Sequence, residues 1–96
     1  MKIAIASGGE NIESEISEKS GRAPYYLIFE NKELIETIKN PFAAGGGGAG
    51  FSVAYMLAEK KVNLVIAGKF GGNMESALKE KGLKFEEKIG KVKEVL

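Results

Sequence analysis

The chain contains no cysteine, histidine, aspartate, glutamine or tryptophan. Without cysteine there are no disulfides, thiolate metal sites or thiol nucleophiles. General acid–base chemistry near neutral pH would fall to Glu, Lys or Tyr. Arg22 is the one arginine among 14 basic residues, net charge is +1, and no run of like charge exceeds two residues. We therefore expect neither a nucleic-acid-binding arm nor a membrane-binding basic patch.

The 96 residues predict a single domain spanning 1–96. The apolar runs are too short to cross a membrane, and the N-terminus leads directly into a strand-like segment. We expect a soluble, cytoplasmic protein. Its surface chemistry is dominated by Lys and Glu, a composition that is typical of proteins from hot habitats.

Hydrophobic patterning alternates between strands and helices. The predicted strands are Ile3–Ala6, Tyr25–Glu30, Leu34–Lys39, Leu64–Ala67 and Leu83–Glu86. One helix is predicted from about Gly48 to Lys60, with Phe51, Ala54, Tyr55 and Ala58 on its main apolar face. Val53, Met56 and Leu57 widen the apolar stripe, so the helix should be covered on more than one side. A second follows Asn73 as N-cap and ends before Gly82. The chain closes on a short helix with an apolar edge at Ile89, Val92, Val95 and Leu96.

These elements predict an α/β fold with a mixed five-stranded sheet. The first and fourth strands are the most apolar and should be central, and Asn31-Lys32 should join the second and third as a hairpin. Residues 10–20 are interpreted as an irregular loop anchored by Ile12 and Ile16, with a short helix as the alternative. A right-handed crossover through the first helix then gives the strand order 3-2-1-4-5, with strand 2 antiparallel.

This topology should bring glycine-rich loops together at one edge of the sheet, where α/β proteins bind ligands. Eleven of the 13 glycines fall in the four loops 7–9, 21–24, 41–50 and 68–72. Glycine permits close backbone approach, and a helix N-terminus favours an anion. The candidate anion-site residues are Ser7, Gly8, Gly21, Arg22, Gly46, Gly47, Gly48, Gly50, Ser52, Lys69 and Gly71.

Other interpretations stay open at the same positions. Residues 45–50 fit G-x-G-x-x-G, but they follow a hairpin strand rather than the first strand of a βαβ unit, which disfavours a dinucleotide. Arg22 can grip an oxyanion with two donors or clamp loop carbonyls. The four glutamates between residues 10 and 18 suit a hard cation or simply a solvated loop. Neither Ser7 nor Ser52 has a base that would make it a nucleophile.

Several segments resemble the dinitrogenase iron-molybdenum cofactor biosynthesis family, the nitrogenase accessory factors. They are Met1–Ala6, the run Ile16-Ser17-Glu18-Lys19-Ser20-Gly21-Arg22-Ala23-Pro24-Tyr25-Tyr26, Asn40-Pro41, Gly48-Ala49-Gly50 and Leu64–Gly68. The resemblance implies a three-layer ribonuclease H-like motif. It also implies a carrier of iron-molybdenum or iron–sulfur precursors, working with other cofactor-biosynthesis proteins.

The chain departs from the family pattern where a ligand would be expected. The family usually has histidine and phenylalanine at the positions of Lys19 and Ser20, and often histidine at Gly47. Cluster iron requires soft or imidazole ligands, and only methionine remains here. We therefore predict no catalytic residue, no metal ligand, and no cluster held through side chains.

Three hypotheses follow. The first is a non-catalytic carrier that binds an anionic cofactor precursor or oxyanion at the glycine-rich rim. The second is a homodimeric interaction domain that pairs through an exposed hairpin edge and binds no small molecule. The third is a minor enzyme acting on a phosphorylated metabolite. The prediction that no carboxylate lies in the central strands argues against nuclease chemistry, whatever the fold.

Overall fold

The computed structural model describes residues 1–44 and 48–96. The strands are β1 (Lys2–Ser7), β2 (Tyr25–Glu30), β3 (Glu33–Lys39), β4 (Leu64–Ala67) and β5 (Lys84–Glu87). The helices are α1 (Ala49–Glu59), α2 (Gly72–Glu80) and a C-terminal 3-10 helix (Val92–Val95). No helix in the described ranges is long and apolar enough to cross a membrane.

The sheet has the predicted order β3-β2-β1-β4-β5. β2 is antiparallel to both β1 and β3, whereas β1, β4 and β5 are parallel. Asn31 and Lys32 both have positive φ (52° and 66°), as a two-residue hairpin turn requires. The register passes from Ile28↔Glu36 to Phe29↔Leu34, so Ile35 is the extra residue of a bulge.

Both helices pack on one face of the sheet. Ala4, Tyr26 and Val65 belong to the same buried cluster as Leu57 of α1 and Leu78 of α2. The other face buries Ile5, Leu27, Phe29 and Ile66 beneath Ile16 and Val92, so residues 10–20 and the C-terminal 3-10 helix form the third layer.

Three local expectations were wrong. α1 buries Val53, Ala54 and Leu57, as expected of a helix that is covered on more than one side, but Phe51 and Tyr55, predicted on its main apolar face, are exposed. α2 begins at Gly72 after an extended Gly71, which places Asn73 within the first turn rather than at the N-cap.

The third error concerns the loop and the terminal helix. Ile16 is buried, but Ile12 is exposed and Ile89 is 85% exposed. Gly90 has φ 109° and turns the chain just before the 3-10 helix, which separates Ile89 from the apolar edge that contains Val92.

Candidate functional site

Three segments that are distant in the chain enclose one cleft of about 670 Å³. Its lining residues are Glu18, Lys19, Ser20, Gly21, Arg22, Gly48, Ala49, Gly50, Lys69, Phe70, Gly71, Gly72, Asn73 and Met74. We call this the glycine cleft. β4 ends at its edge, and the segments before β2 and after β4 run side by side there, paired at Lys19 and Lys69.

The first turns of both helices line the glycine cleft. Neither Gly48 before α1 nor Gly71 before α2 supplies a side-chain cap. The leading amides of a helix have no intrahelical acceptor, and together they carry the positive end of its dipole. The cleft therefore offers backbone donors from two helices to one bound group.

Glycines allow these segments to approach closely. A Cβ added at Gly21 would lie 3.2 Å from the Gly50 nitrogen, and one at Gly50 would lie 3.0 Å from the Met74 nitrogen. A Cβ at Gly68 would meet the Glu18 Cα at 2.7 Å. The edge of the cleft is thus built from backbone packed on backbone, which only glycine permits at this distance.

Buried side chains fix the loop that carries Arg22. The Tyr26 hydroxyl donates to the Ser20 carbonyl at 2.6 Å, and burial raises the pKa of this tyrosine well above its ordinary value. The Asn40 amide nitrogen donates to the carbonyls of Gly21 (3.1 Å) and Ala23 (2.9 Å). The Ser20 amide donates to the Lys69 carbonyl, which ties this loop to the segment after β4.

The charged residues that line the cleft are mostly positive. Lys19, Arg22 and Lys69 contribute three formal charges against the single carboxylate of Glu18, and all four residues are exposed. Arg22 is not isolated, since it interacts within the molecule. Cations and helix N-termini act in the same direction here, and both favour an anion.

Six of the predicted site residues lie around the glycine cleft, namely Gly21, Arg22, Gly48, Gly50, Lys69 and Gly71. Gly46 and Gly47 fall outside the described residues. Ser52 does not line the cleft, and its amide is used within α1 by donating to the Gly48 carbonyl.

Ser7 and Gly8 do not reach the cleft either. The buried Ser7 hydroxyl donates to the Gly9 carbonyl at 2.7 Å, and the Gly8 amide donates to the Glu15 carbonyl. The loop after β1 is therefore hydrogen-bonded to the third layer through Glu15. Its position at a strand end made it a candidate, but the hydrogen bonds to residues 9 and 15 direct it away from the other three loops.

The sequence analysis missed two kinds of residue. Phe70 and Met74 line the cleft but are buried, at 5% and 1% exposure. Asn40 does not line it, and the sequence analysis gave it only as part of the Asn40-Pro41 segment that resembles the family. An asparagine that precedes proline and closes a strand was a signal for a side chain that bonds to a neighbouring backbone.

Within residues 1–44 and 48–96 there is no group of three or more Asp, Glu, His or Cys that could hold a metal ion. The one sulfur on the cleft lining belongs to Met74, which is almost fully buried. These donors fit an anion that is held by hydrogen bonds and charge. They do not fit a cluster whose iron needs thiolate or imidazole ligands.

Comparison with known proteins gives one family. A profile described as "dinitrogenase iron-molybdenum cofactor" matches residues 1–96. The solved structure of a putative NifB protein from Thermotoga is 32% identical with a TM-score of 0.80, and the match covers 97% of this chain and 81% of that one.

A second similar structure is the apo form of the orange protein from Desulfovibrio gigas. It is 21% identical with a TM-score of 0.90, and the match covers 98% of this chain and 82% of that one. At this identity the likeness shows the fold alone. A search of curated proteins returned no significant match.

Proposed function

The chain belongs to the dinitrogenase iron-molybdenum cofactor family, and from this premise we propose that it is a small non-catalytic carrier in cofactor biosynthesis. Its cargo is an anionic precursor or oxyanion, held in the glycine cleft. The cargo is bound by backbone amides and by the Lys19, Arg22 and Lys69 side chains rather than ligated by side-chain sulfur or imidazole.

One observation carries the proposal. The first turns of two helices and three cationic side chains line the same cleft of about 670 Å³, although they come from three separate parts of the chain. Each helix N-terminus contributes only about 0.3–1 kcal/mol to binding an exposed anion. Two of them beside a guanidinium that can make paired hydrogen bonds act together on one bound anion.

A carrier has to release its cargo, and this donor set suits release. Hydrogen bonds and solvent-exposed charges are reversible and weaken with ionic strength, because salt screens charges beyond about 8–10 Å. A thiolate ligand would have to be displaced chemically. We accordingly assign the protein no reaction of its own, and transfer partners among the cofactor-biosynthesis proteins.

A second function, self-association through β3, is favoured by one observation. β3 is an edge strand, and Leu34 and Ile35 on it are 42% and 46% exposed. The bulge at Ile35 disfavours this function, since bulges are a common means of blocking edge pairing. Sedimentation at several concentrations tests this second function: a stable dimer that Ile35→Lys abolishes, in a protein that molybdate does not stabilise, supports association.

The test of the carrier function is thermal unfolding with molybdate, phosphate or nucleotides. A ligand at 100 times its Kd stabilises the native state by about 2.7 kcal/mol. We expect molybdate to raise the Tm of the wild type and of Lys84→Ala, whose side chain lies outside the glycine cleft, by several times more than that of Arg22→Ala, which keeps only residual binding. Equal shifts in all three proteins, or no shift in any, would overturn the proposal.

A further inference from the structure

We propose that Asn40 is the positioning residue of the glycine cleft, because it locks the Arg22 loop to the segment that leads towards α1. This inference rests on the proposed function, since it concerns how the same anion site is held. Asn40 lies at the end of β3, does not line the cleft and is 5% exposed.

All the hydrogen-bonding groups of this amide have partners in two different loops. Its Nδ2 donates to the Gly21 carbonyl at 3.1 Å and to the Ala23 carbonyl at 2.9 Å, one on each side of Arg22. Its Oδ1 accepts from the Phe42 amide at 3.0 Å. Its own backbone amide donates to the Pro24 carbonyl at 3.0 Å.

This pattern fixes the conformation of a turn that has no regular secondary structure of its own. The two carbonyls flank Arg22, so bonding both to one planar amide sets the direction in which the Arg22 side chain leaves the backbone. The bond to Phe42 holds the other loop to the same group. Asparagine alone has two donors and an acceptor in so short a side chain, whereas aspartate offers only acceptors.

The consequence for binding is preorganisation. An anion that meets an Arg22 whose backbone is already fixed does not have to order the loop on binding, and ordering costs affinity. A buried residue that never touches the ligand can therefore control its affinity through Arg22. This separates positioning from simple structural support, which would affect stability without depending on Arg22.

The experiment is a double-mutant cycle on molybdate affinity, measured by calorimetry well below the Tm of every variant. Asn40→Ala is expected to weaken binding about tenfold, which corresponds to 1.4 kcal/mol. In the Arg22→Ala background the same change should weaken the residual binding by less than about twofold, because the two residues act as a unit. Asn40→Asp keeps the acceptor for Phe42 but loses both donors, and should bind no better than Asn40→Ala.

Val92→Ala is the matched control for lost stability, since Val92 is fully buried on the opposite face of the sheet. It should unfold at lower temperature and bind molybdate as the wild type does. Losses that add independently of Arg22, or an unchanged affinity in Asn40→Ala, would overturn the positioning role.

Hydrogen exchange of the ligand-free protein keeps the two proposals distinguishable. Asn40→Ala should speed exchange at the Phe42 amide about tenfold more than at Ile5 in the central strand. If the wild-type protein binds no molybdate, the proposed function fails, yet faster exchange confined to the Phe42 amide still supports the role of Asn40 in holding this turn. An equal increase in exchange rate at Phe42 and Ile5 would contradict that role of Asn40, whatever the binding result.

Discussion

The two ends of the sheet each carry a cleft with three cationic side chains, but the helices present opposite poles to them. At the glycine cleft lie Lys19, Arg22 and Lys69 with the first turns of α1 and α2. At the other end a cleft of about 860 Å³ includes Lys61, Lys81 and Lys84. We call it the opposite cleft.

Lys61 and Lys81 of the opposite cleft lie at the C-terminal ends of α1 and α2. The two helices end there, with Lys60 and Lys81 as their C-caps, so the negative ends of both helix dipoles lie on this side of the sheet. The Lys2 ammonium donates to the Lys60 carbonyl, and the Lys81 ammonium lies 4.9 Å from the centre of the Tyr55 ring. At the opposite cleft the C-terminal ends of the helix dipoles offset the positive charge of the lysines, whereas at the glycine cleft the N-terminal ends add to the positive charge. The number of lysines alone therefore does not identify an anion site.

The largest expected effect is the loss of stability when a glycine near either cleft is replaced by alanine. Gly68→Ala should destabilise the fold by about 2–3 kcal/mol, because its Cβ would overlap the backbone of Glu18. Gly82→Ala, at the opposite cleft, should cost about 1 kcal/mol for its φ of 75°. Gly71→Ala has open space and ordinary φ, so urea unfolding should place it within 0.5 kcal/mol of wild type. Equal losses at 68 and 71 would contradict the close approach.

The next effect compares a buried hydroxyl under the glycine cleft with an exposed one near the opposite cleft. Tyr26→Phe should cost about 1–2 kcal/mol, because it removes the buried hydrogen bond to the Ser20 carbonyl. Tyr55→Phe loses only an exposed bond to Glu80 and should cost less than about 0.5 kcal/mol.

The pH dependence of Tyr26 has a definite sign. Burial raises its folded-state pKa above the ordinary 10.0, so the folded protein keeps a proton that the unfolded chain releases. This contribution is complete below pH 10 and is lost as pH rises further. Tyr26→Phe should therefore show a shallower loss of stability above pH 10 than wild type. If the stabilities of Tyr26→Phe and of the wild type fell equally above pH 10, the pKa of Tyr26 would not be raised in the folded state.

A charge reversal of a lysine at each cleft should give a smaller effect. Lys69→Glu is expected to weaken molybdate binding about fivefold, which is about 1 kcal/mol, whereas Lys84→Glu should change it less than twofold. The difference should shrink at high salt, because both side chains are exposed. Equal weakening by both substitutions would mean that net charge, not the cleft, governs binding.

The smallest effect lies in the third layer, away from both clefts. The Lys93 ammonium, 2.9 Å from the Glu13 carboxylate, lowers the pKa of Glu13 below its ordinary 4.5, with Lys91 adding to the effect. This contribution is present above pH 4.5 and is lost as pH falls through the lowered pKa. Glu13→Gln and Lys93→Met should each slightly flatten the acid limb of the stability curve. An unchanged limb would show that the pair contributes nothing.

The bounds of the strands were predicted well from the sequence and the contacts of the loops were predicted poorly, for physical reasons. β2 and β4 were predicted with their observed bounds, and β1 within one residue at each end, because their apolar runs lie between clear turn signals. The positive φ of Asn31 and Lys32 follows from the two-residue spacing of the hairpin. Pattern and spacing act locally, so local features were recoverable.

The strand order was also predicted correctly, but the rotation of α1 and the direction of the loop after β1 were not. Phe51 and Tyr55 were predicted on the main apolar face with Ala54, but the rotation of α1 is set by what it packs against, and its buried residues are Val53, Ala54 and Leu57. Ser7 and Gly8 follow a central strand as site residues do, yet hydrogen bonds to residues 9 and 15 redirect that loop. The three hydrogen-bond partners of the Asn40 side chain lie in two separate loops, so its contacts could not be predicted from local sequence.

The most direct test is an amide NMR titration of the wild-type protein with molybdate. The account predicts saturable shifts concentrated at Gly21, Gly50 and Gly72 around the glycine cleft, and none at Lys61 or Lys84. Shifts centred on those two lysines, or scattered without saturation, would contradict it.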